Sequence, residues 1–111
     1  MPDAAKDRIA GALTMCRRAG RLLLGFDAVK EAAQQGNVCC ILLAADTSTK
    51  TEKEARFFAG EIPVRKLPYD MDALTAYFRK RTAVYGVCEQ GFARKLLSLL
   101  PDTPECEETE P

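Results

Sequence analysis

The fold is decided by one unbroken apolar run near the middle of the chain, VCCILLAA at Val38–Ala45. An apolar run of this length, with no polar residue at alternate positions, is typical of a strand covered on both faces of a sheet. Asp46 follows it directly, ahead of Thr47–Thr49, and short polar residues of this kind form loops and helix caps. We therefore expect the central strand here, with a structural, capping role for Asp46.

Helix and strand patterns alternate outward from this run in both directions. Thr49 with Glu52 three residues later fits a capping box, and Pro63 favours an edge strand or the start of a strand. The predicted strands are Arg21–Leu24, Val38–Ala45, Ile62–Val64 and Ala83–Cys88. The first three predicted helices are Asp3–Arg18, which Asp3 caps, Phe26–Gln35 and Thr49–Ala59. A fourth is capped by Asp70 and has a buried face of Met71, Leu74, Tyr77 and Phe78, and the last has an inner face of Phe92, Leu96, Leu97 and Leu100. This alternation predicts an α/β fold, a three-layer α-β-α sandwich with a mixed sheet of about four strands.

Charge is divided unevenly along the 111 residues. The 16 basic and 16 acidic residues cancel overall, but five acids follow Pro101, which leaves 16 basic against 11 acidic residues in 1–101. These acids are Asp102, Glu105, Glu107, Glu108 and Glu110. We predict one folded domain over residues 1–101 and an acidic, disordered tail over 102–111. A basic body is typical of proteins that bind polyanions, although many other soluble domains share it.

Targeting and membrane segments are not expected from the sequence. The opening residues, MPDAAKDRIA, lack the apolar core of a secretion signal, and no stretch approaches the roughly 20 apolar residues that cross a bilayer. We expect a soluble, cytoplasmic protein with no membrane contact, and a monomer.

Cysteine and histidine usage argues against metal and catalytic chemistry. The five cysteines show no C-x-x-C spacing, and three of them lie in apolar strand-like runs, as reduced core cysteines do. Histidine, the commonest general base and metal ligand, does not occur. Neither glycine-rich phosphate-binding motif is present. We therefore predict no metal, no cofactor and no enzymatic activity, since no nucleophile, base and orienting group can be assembled.

A first candidate for anion binding is the turn that opens the second predicted helix. Arg17, Arg18 and Arg21 flank the turn into the preceding short strand, and Gly25 turns the chain into the helix, with Lys30 on its exposed side. A helix N-terminus presents unpaired N–H groups and a positive dipole end, which suit a phosphate or the acceptor edge of a base. The alternative is that these cations only keep the domain soluble.

A second candidate is the basic cluster Arg79-Lys80-Arg81-Thr82, at a predicted helix-to-strand junction. Three consecutive cations repel one another unless an anion is near, although they also complement the carbonyl end of the preceding helix. Tyr85, in the strand that follows, is expected to pack in the core or at its rim rather than to stack on a base. The pattern indicates an RNA-binding loop with a structural alternative.

The order of motifs resembles the kink-turn-binding ribosomal protein family (L-seven-Ae and thirty-e), and specifically its small bacterial YlxQ-type branch. The resemblance runs from about Asp7 to Leu100, and it rests on four motifs in the family's order. They are Arg17-Arg18-Ala19-Gly20-Arg21-Leu22, the segment Gly25–Gly36, Leu42-Leu43-Ala44-Ala45-Asp46-Thr47-Ser48, and Gln90-Gly91-Phe92-Ala93 with Leu96.

The resemblance implies an α-β-α sandwich that binds RNA bends with tandem sheared G·A pairs. Members place the start of their second helix in a groove of the RNA, together with a loop before the last strand. The surface implied here consists of the start of the second helix and the basic loop: Gly25, Phe26, Asp27, Ala28, Lys30 and Glu31 with Arg79, Lys80, Arg81, Thr82 and Ala83. The Thr47–Lys50 loop is expected to lie nearby. Lys50 from that loop and Arg21 complete the expected RNA-binding set.

Three positions depart from the family's helix pattern G-x-N-E-x-x-K. This chain has Asp27 for the asparagine, Ala28 for the glutamate and Glu31 for the lysine. A carboxylate only accepts hydrogen bonds, whereas asparagine also donates, and Glu31 repels a nearby phosphate by about 1 kcal/mol or more. Tight kink-turn recognition is therefore expected to be weakened.

The sequence supports two functional hypotheses of different classes. The first is a non-catalytic RNA-binding protein for structured RNA, ribosomal or kink-turn-like, in which backbone contacts dominate the affinity. The second is a protein-interaction module of the translation machinery, which docks a ribosomal protein or translation factor and has kept the fold without tight RNA binding. The substitutions at Asp27, Ala28 and Glu31 motivate the second.

Overall fold

The computed structural model describes residues 4–100, with side chains from Arg8 onward. The described elements, in chain order, are α1 (Ala4–Arg18), β1 (Leu22–Leu24), α2 (Phe26–Gln34), β2 (Cys40–Leu43), α3 (Thr49–Ala59), β3 (Val64–Lys66), α4 (Met71–Phe78), β4 (Val84–Val87) and α5 (Gln90–Leu99). The predicted cap Asp3, the predicted tail and Cys106 lie outside the described residues.

The strands form one mixed sheet in the order β1-β4-β2-β3. β4 is antiparallel to both β1 and β2, whereas β2 and β3 are parallel and joined by the crossover helix α3. β3 forms one edge and begins directly after Pro63, in keeping with the predicted edge or strand-start position of that proline. The mixed sheet of four strands is therefore confirmed.

Two separate cores cover the two faces of this sheet. Leu13 of α1, Leu74 of α4 and Leu96 of α5 pack on one face. Val29 of α2 and Ala55 of α3 pack on the other. All four residues of β2 are buried, because both faces are covered, which confirms the interpretation of the apolar run. The architecture is the predicted three-layer α-β-α sandwich.

The strands are shorter than their apolar runs or are shifted along them. β2 occupies only Cys40–Leu43, opposite the four residues of its antiparallel partner β4. β3 lies two residues beyond the predicted start, at Val64–Lys66. Pro63 has no N–H to donate, but its carbonyl oxygen accepts from the Ile41 N–H at 2.9 Å, so the ladder begins there.

The cap of α3 differs from the predicted one. Ser48, rather than Thr49, is the N-cap, and its hydroxyl oxygen accepts from the Thr51 N–H at 3.2 Å. Glu52 consequently lies one position too far along to close a capping box. It is buried instead and binds the side chains of Arg56 and Lys66 at 3.1 and 3.3 Å.

The predicted buried face of α4 is wrong at one position. Leu74 and Phe78 are buried, but Tyr77 is 51% exposed and packs its ring against Tyr69, with 5.8 Å between centroids. Tyr77 is turned roughly 80° from the centre of the buried stripe, given about 100° per helical residue.

The described cysteines, Cys16, Cys39, Cys40 and Cys88, are all free thiols, as predicted for core cysteines of this kind. Burial raises the pKa of Cys16 to about 11 and that of Cys40 to about 12. Tyr85 is fully buried in the core, as expected, and burial raises its pKa to about 12. Within residues 4–100, no helix is both long and apolar enough to span a membrane.

Candidate nucleic-acid interface

Three connecting segments meet at one end of the sheet. Because β1 and β2 both run antiparallel to β4, the last residues of β1 and β2 lie beside the first residues of β4, with Leu24 opposite Tyr85 and Leu43 opposite Val84. This end therefore gathers the turn at Gly25, the loop after β2, and the loop that leads into β4. We call it the loop end of the sheet.

Gly25 has a backbone conformation that only glycine adopts readily, with φ 115° and ψ 144°. Its N–H donates to the Val84 carbonyl oxygen at 2.9 Å, which fixes the turn against the start of β4. Its own carbonyl oxygen accepts from the Val29 N–H at 3.1 Å and opens α2. Among the described residues, no side chain caps α2, so the first-turn N–H groups face outward with the positive end of the helix dipole.

Lys80 brings a cation to that same helix end. Its Nζ lies 3.5 Å from the Leu24 carbonyl oxygen, and a methyl group added to Gly25 would lie 3.8 Å from it. Lys80 donates to that carbonyl and Asp27 supplies one negative charge in the first turn, but a cation beside a positive helix end still attracts a further anion placed between them. The arrangement therefore favours an anion such as a phosphate at the start of α2.

Arg81 is engaged differently from its neighbour Lys80. Its guanidinium forms an ion pair with the Asp72 carboxylate, and both side chains are exposed. The hydrogen bond to Asp72 and the charge of that carboxylate raise the pKa of Arg81. Because exposed ion pairs are weak and screened by salt, a phosphate can compete for this arginine.

Arg79 ends α4 in a left-handed conformation, with φ 60° and ψ 24°. Its N–H donates to the Thr75 carbonyl oxygen at 2.7 Å, and its exposed side chain lies at the negative end of the α4 dipole. Past the turn, the Ala83 carbonyl oxygen accepts from the Ala44 N–H at 2.9 Å, and the Thr82 hydroxyl oxygen accepts from the Val84 N–H at 3.5 Å. These contacts hold the basic loop against the sheet.

Asp46 has the structural role expected of it, but at a distant helix. Its Oδ1 accepts from the Met71 N–H at 2.9 Å, so it helps to cap α4 beside Asp70, which accepts from Ala73 N–H at 2.8 Å. The end of β2 is thereby tied to the helix that leads into the basic loop.

The predicted RNA-binding residues divide into a group at or near the loop end and one outlier, Arg21. Asp27, Ala28 and Glu31 are exposed near the start of α2. Arg21 lies at the other end of β1, where its carbonyl oxygen accepts from the Cys88 N–H at 2.8 Å. Lys50 is exposed in the first turn of α3, which the chain enters from the loop after β2 at the loop end.

The sequence interpretation missed an aromatic groove between α2 and α3. Phe57 is 89% exposed, and Phe58 beside it packs edge-to-face on Phe26 with 5.4 Å between ring centroids. Lys30 lies above the Phe26 ring, 6.0 Å from its centroid, rather than pointing freely into solvent. Two consecutive phenylalanines on an amphipathic helix were the available signal, because both cannot lie at the centre of one buried stripe.

The fold is a small α-β-α sandwich, and solved structures share that fold. No family model matches the chain, and no curated protein matches its sequence. A Bacillus halodurans protein of unknown function is 33% identical, with a TM-score of 0.76 over 83% of this chain and 95% of that one. At that identity and coverage, this chain belongs to the same family as the Bacillus halodurans protein.

A more distant neighbour has a described function. The Giardia lamblia 15.5kD RNA binding protein is 12% identical, with a TM-score of 0.64 over 89% of this chain and 92% of that one. At this identity the likeness shows the fold alone, which is the α-β-α fold that the L-seven-Ae resemblance implied.

Proposed function

We propose that this protein is a non-catalytic RNA-binding protein that recognises structured RNA of ribosomal or kink-turn-like type. The observation that carries the proposal is the position of Lys80 at the uncapped start of α2. The fold shared with the Giardia RNA-binding protein supports it independently. We also propose that the protein belongs to the small bacterial YlxQ-type branch, that it is cytoplasmic and that it is a monomer.

The expected mode of binding follows from the charges at the loop end. Phosphates approach the first-turn N–H groups of α2 and the ammonium of Lys80, while Arg79 and Arg81 extend the cationic surface along the loop. Asp27 and Glu31 are exposed on the same helix and repel phosphates, so the RNA must approach from the Lys80 side. Contacts to the RNA phosphate backbone therefore dominate the affinity. The specificity for kink-turns is weaker than that expected of a chain with the family's helix pattern.

A salt series tests this mode. The affinity of the purified protein for a kink-turn hairpin is measured at several salt concentrations, beside a variant that restores the family pattern with Asp27→Asn, Ala28→Glu and Glu31→Lys. Wild type should bind with an affinity that falls steeply as salt rises, and the restored variant should bind more tightly at every salt concentration. Wild-type affinity that does not change with salt would contradict the proposal.

The alternative function is a protein-interaction module of the translation machinery. The acidic residues Asp27 and Glu31, exposed where the family pattern has an amide and a cation, favour it. A pull-down that recovers one ribosomal protein or translation factor after nuclease treatment would support this function. Recovery that depends entirely on RNA would exclude it.

A further inference from the structure

The groove between α2 and α3 has a volume of about 470 Å³ and is lined by one stripe from each helix. The lining residues are Phe26, Lys30 and Gln34 of α2, and Lys53, Glu54, Phe57 and Phe58 of α3. Residues at spacings of four lie on the same side of a helix, so each stripe is continuous along its helix. The groove is therefore a surface built by two helices rather than a gap beside one side chain.

Phe57 is the feature of this groove that the fold does not explain. Its ring is 89% exposed, whereas Phe58 and Phe26 are partly buried and pack against the core beneath. Single exposed apolar residues are common, but this ring continues a patch that already contains two more aromatic rings. A planar partner can stack on it without disturbing the core.

The polar residues of the groove indicate the chemistry of that partner. Lys30 of α2 and Lys53 of α3 line the groove from opposite helices, and Gln34 supplies an amide that both donates and accepts. Aromatic faces with cations from both helices suit a nucleotide, whose base stacks while its phosphate is neutralised. Glu54 opposes a phosphate close to it, but its carboxylate can accept a hydrogen bond from a base amino group.

The groove is continuous with the RNA-binding surface proposed above. Phe26 is the first residue of α2, directly after Gly25, and Lys30 lies one turn further along the same helix. Lys30 also lies above the Phe26 ring at 6.0 Å from its centroid, which keeps its charge at the groove. A strand leaving an RNA bound at the start of α2 therefore has a short path into the groove.

We propose that the α2–α3 groove binds a single-stranded nucleotide flanking the structured RNA, with its base stacked on Phe57. Lys30 and Lys53 neutralise the phosphates on either side of this base. The inference rests on the proposed RNA-binding function and adds a second, stacking subsite to it.

The test compares a kink-turn hairpin with the same hairpin carrying a short oligouridine extension at its 5′ or its 3′ end. Both affinities are measured for wild type, for Phe57→Ala, and for Tyr77→Ala as a matched control that removes an exposed aromatic ring from α4. In wild type and Tyr77→Ala, one of the extensions should tighten binding by at least about fivefold, as expected for one stacked base. In Phe57→Ala this gain should be lost, while affinity for the bare hairpin stays unchanged.

The outcomes separate the subsite from the proposed function. Binding of the bare hairpin with no gain from either extension, or an equal gain in wild type and Phe57→Ala, would overturn the subsite and leave the RNA-binding function standing. Failure of wild type to bind any of these RNAs or total cellular RNA would remove both.

A homo-oligomer is the other outcome that would overturn the subsite. Light scattering across a concentration series should show the same mass for wild type and Phe57→Ala. A dimer that is lost in Phe57→Ala would assign the groove to a second copy of the chain. Thermal unfolding of the variant checks its fold, which should be unaffected because the Phe57 ring is almost fully exposed.

Discussion

The ammonium nitrogen of Lys80 lies 3.5 Å from the carbonyl oxygen of Leu24, and this contact joins the two halves of the candidate interface. The residues are far apart in the chain, but the antiparallel pairing of β1 with β4 places the end of one beside the start of the other. The basic loop and the start of α2 therefore form one surface, on which an anion can contact both.

Lys80 should contribute more to RNA binding than Arg81. Lys80→Ala removes the cation at the start of α2, whereas Arg81→Ala removes a side chain already paired with Asp72. We expect Lys80→Ala to weaken binding more and to lower the slope of log affinity against log salt by about 1, as for the loss of one phosphate contact. If titrations show equal losses of RNA affinity for the two variants, the ion pair with Asp72 does not reduce the contribution of Arg81 to binding.

Gly25→Ala should destabilise the protein by about 1–3 kcal/mol, because a β-carbon is strained at φ 115°. Gly11→Ala is the matched control, since Gly11 lies in α1 with no atom within 4 Å of an added methyl group. There, alanine should stabilise the helix by about 0.5–1 kcal/mol. Urea unfolding measures both changes, and a neutral Gly25→Ala would mean that this turn relaxes easily.

Glu52→Gln should lower the free energy of unfolding by about 1–3 kcal/mol. The Glu52 carboxylate is buried and accepts from Arg56 Nε and Nη2, both at 3.1 Å, with Lys66 Nζ at 3.3 Å. A neutral amide weakens these charge-assisted contacts. Glu54→Gln, exposed on the same helix, should change stability by no more than about 0.5 kcal/mol. Similar effects of the two substitutions would contradict the role of the buried carboxylate.

Stability should fall in alkaline solution. In the folded protein, burial raises the pKa of the Cys16 thiol to about 11 and of the Cys40 thiol to about 12, from an ordinary 9.0. Above pH 9 the unfolded chain therefore loses protons that the folded chain retains, and each thiol lowers the unfolding free energy by up to about 1.4 kcal/mol per pH unit. The stability that the two protonated thiols contribute is fully present below pH 9. It is lost as the pH rises toward 11 for Cys16 and toward 12 for Cys40.

Urea unfolding at pH 8, 9 and 10 checks this dependence, with Cys40→Ala as the comparison. The variant should be less stable at neutral pH because of the lost packing, but its stability should fall less steeply with pH. Parallel pH profiles for the two proteins would show that Cys40 does not carry the effect.

Removal of the acidic segment should tighten RNA binding at low salt. Residues 102–111 carry five carboxylates, and competition between them and the RNA phosphates for the basic loop would weaken binding. A chain ending at Pro101 should therefore bind more tightly than the full chain, and the difference should shrink as salt rises. Unchanged affinity in direct titrations would exclude such competition.

The fold was largely predictable because the decisive signals are local. The apolar run at Val38–Ala45 located β2, and Pro63 predicted an edge strand. The predicted strand bounds and helix cap were wrong where tertiary contacts determine them. β2 is limited to the four residues that pair with β4, and the N-cap at Ser48 leaves Glu52 to bind Arg56 and Lys66 instead of closing a capping box.

The candidate site was predictable only in part. Sequence motifs indicated both the turn at Gly25 and the basic loop, but the contact of Lys80 with Leu24 depends on sheet order, which local patterns do not encode. The same holds for Asp46, whose partner Met71 lies on a distant helix. Phe57 was missed because its exposure depends on how α3 is rotated against α2.

The most direct test of the central claim is a filter-binding titration of the purified protein against total cellular RNA and a kink-turn hairpin. The comparison is a variant with Arg79, Lys80 and Arg81 all replaced by alanine. Wild type should bind RNA, and the variant should lose that binding while keeping its thermal unfolding transition. No binding of wild type to either RNA, or equal binding of wild type and the variant, would contradict an RNA-binding role for the loop end of the sheet.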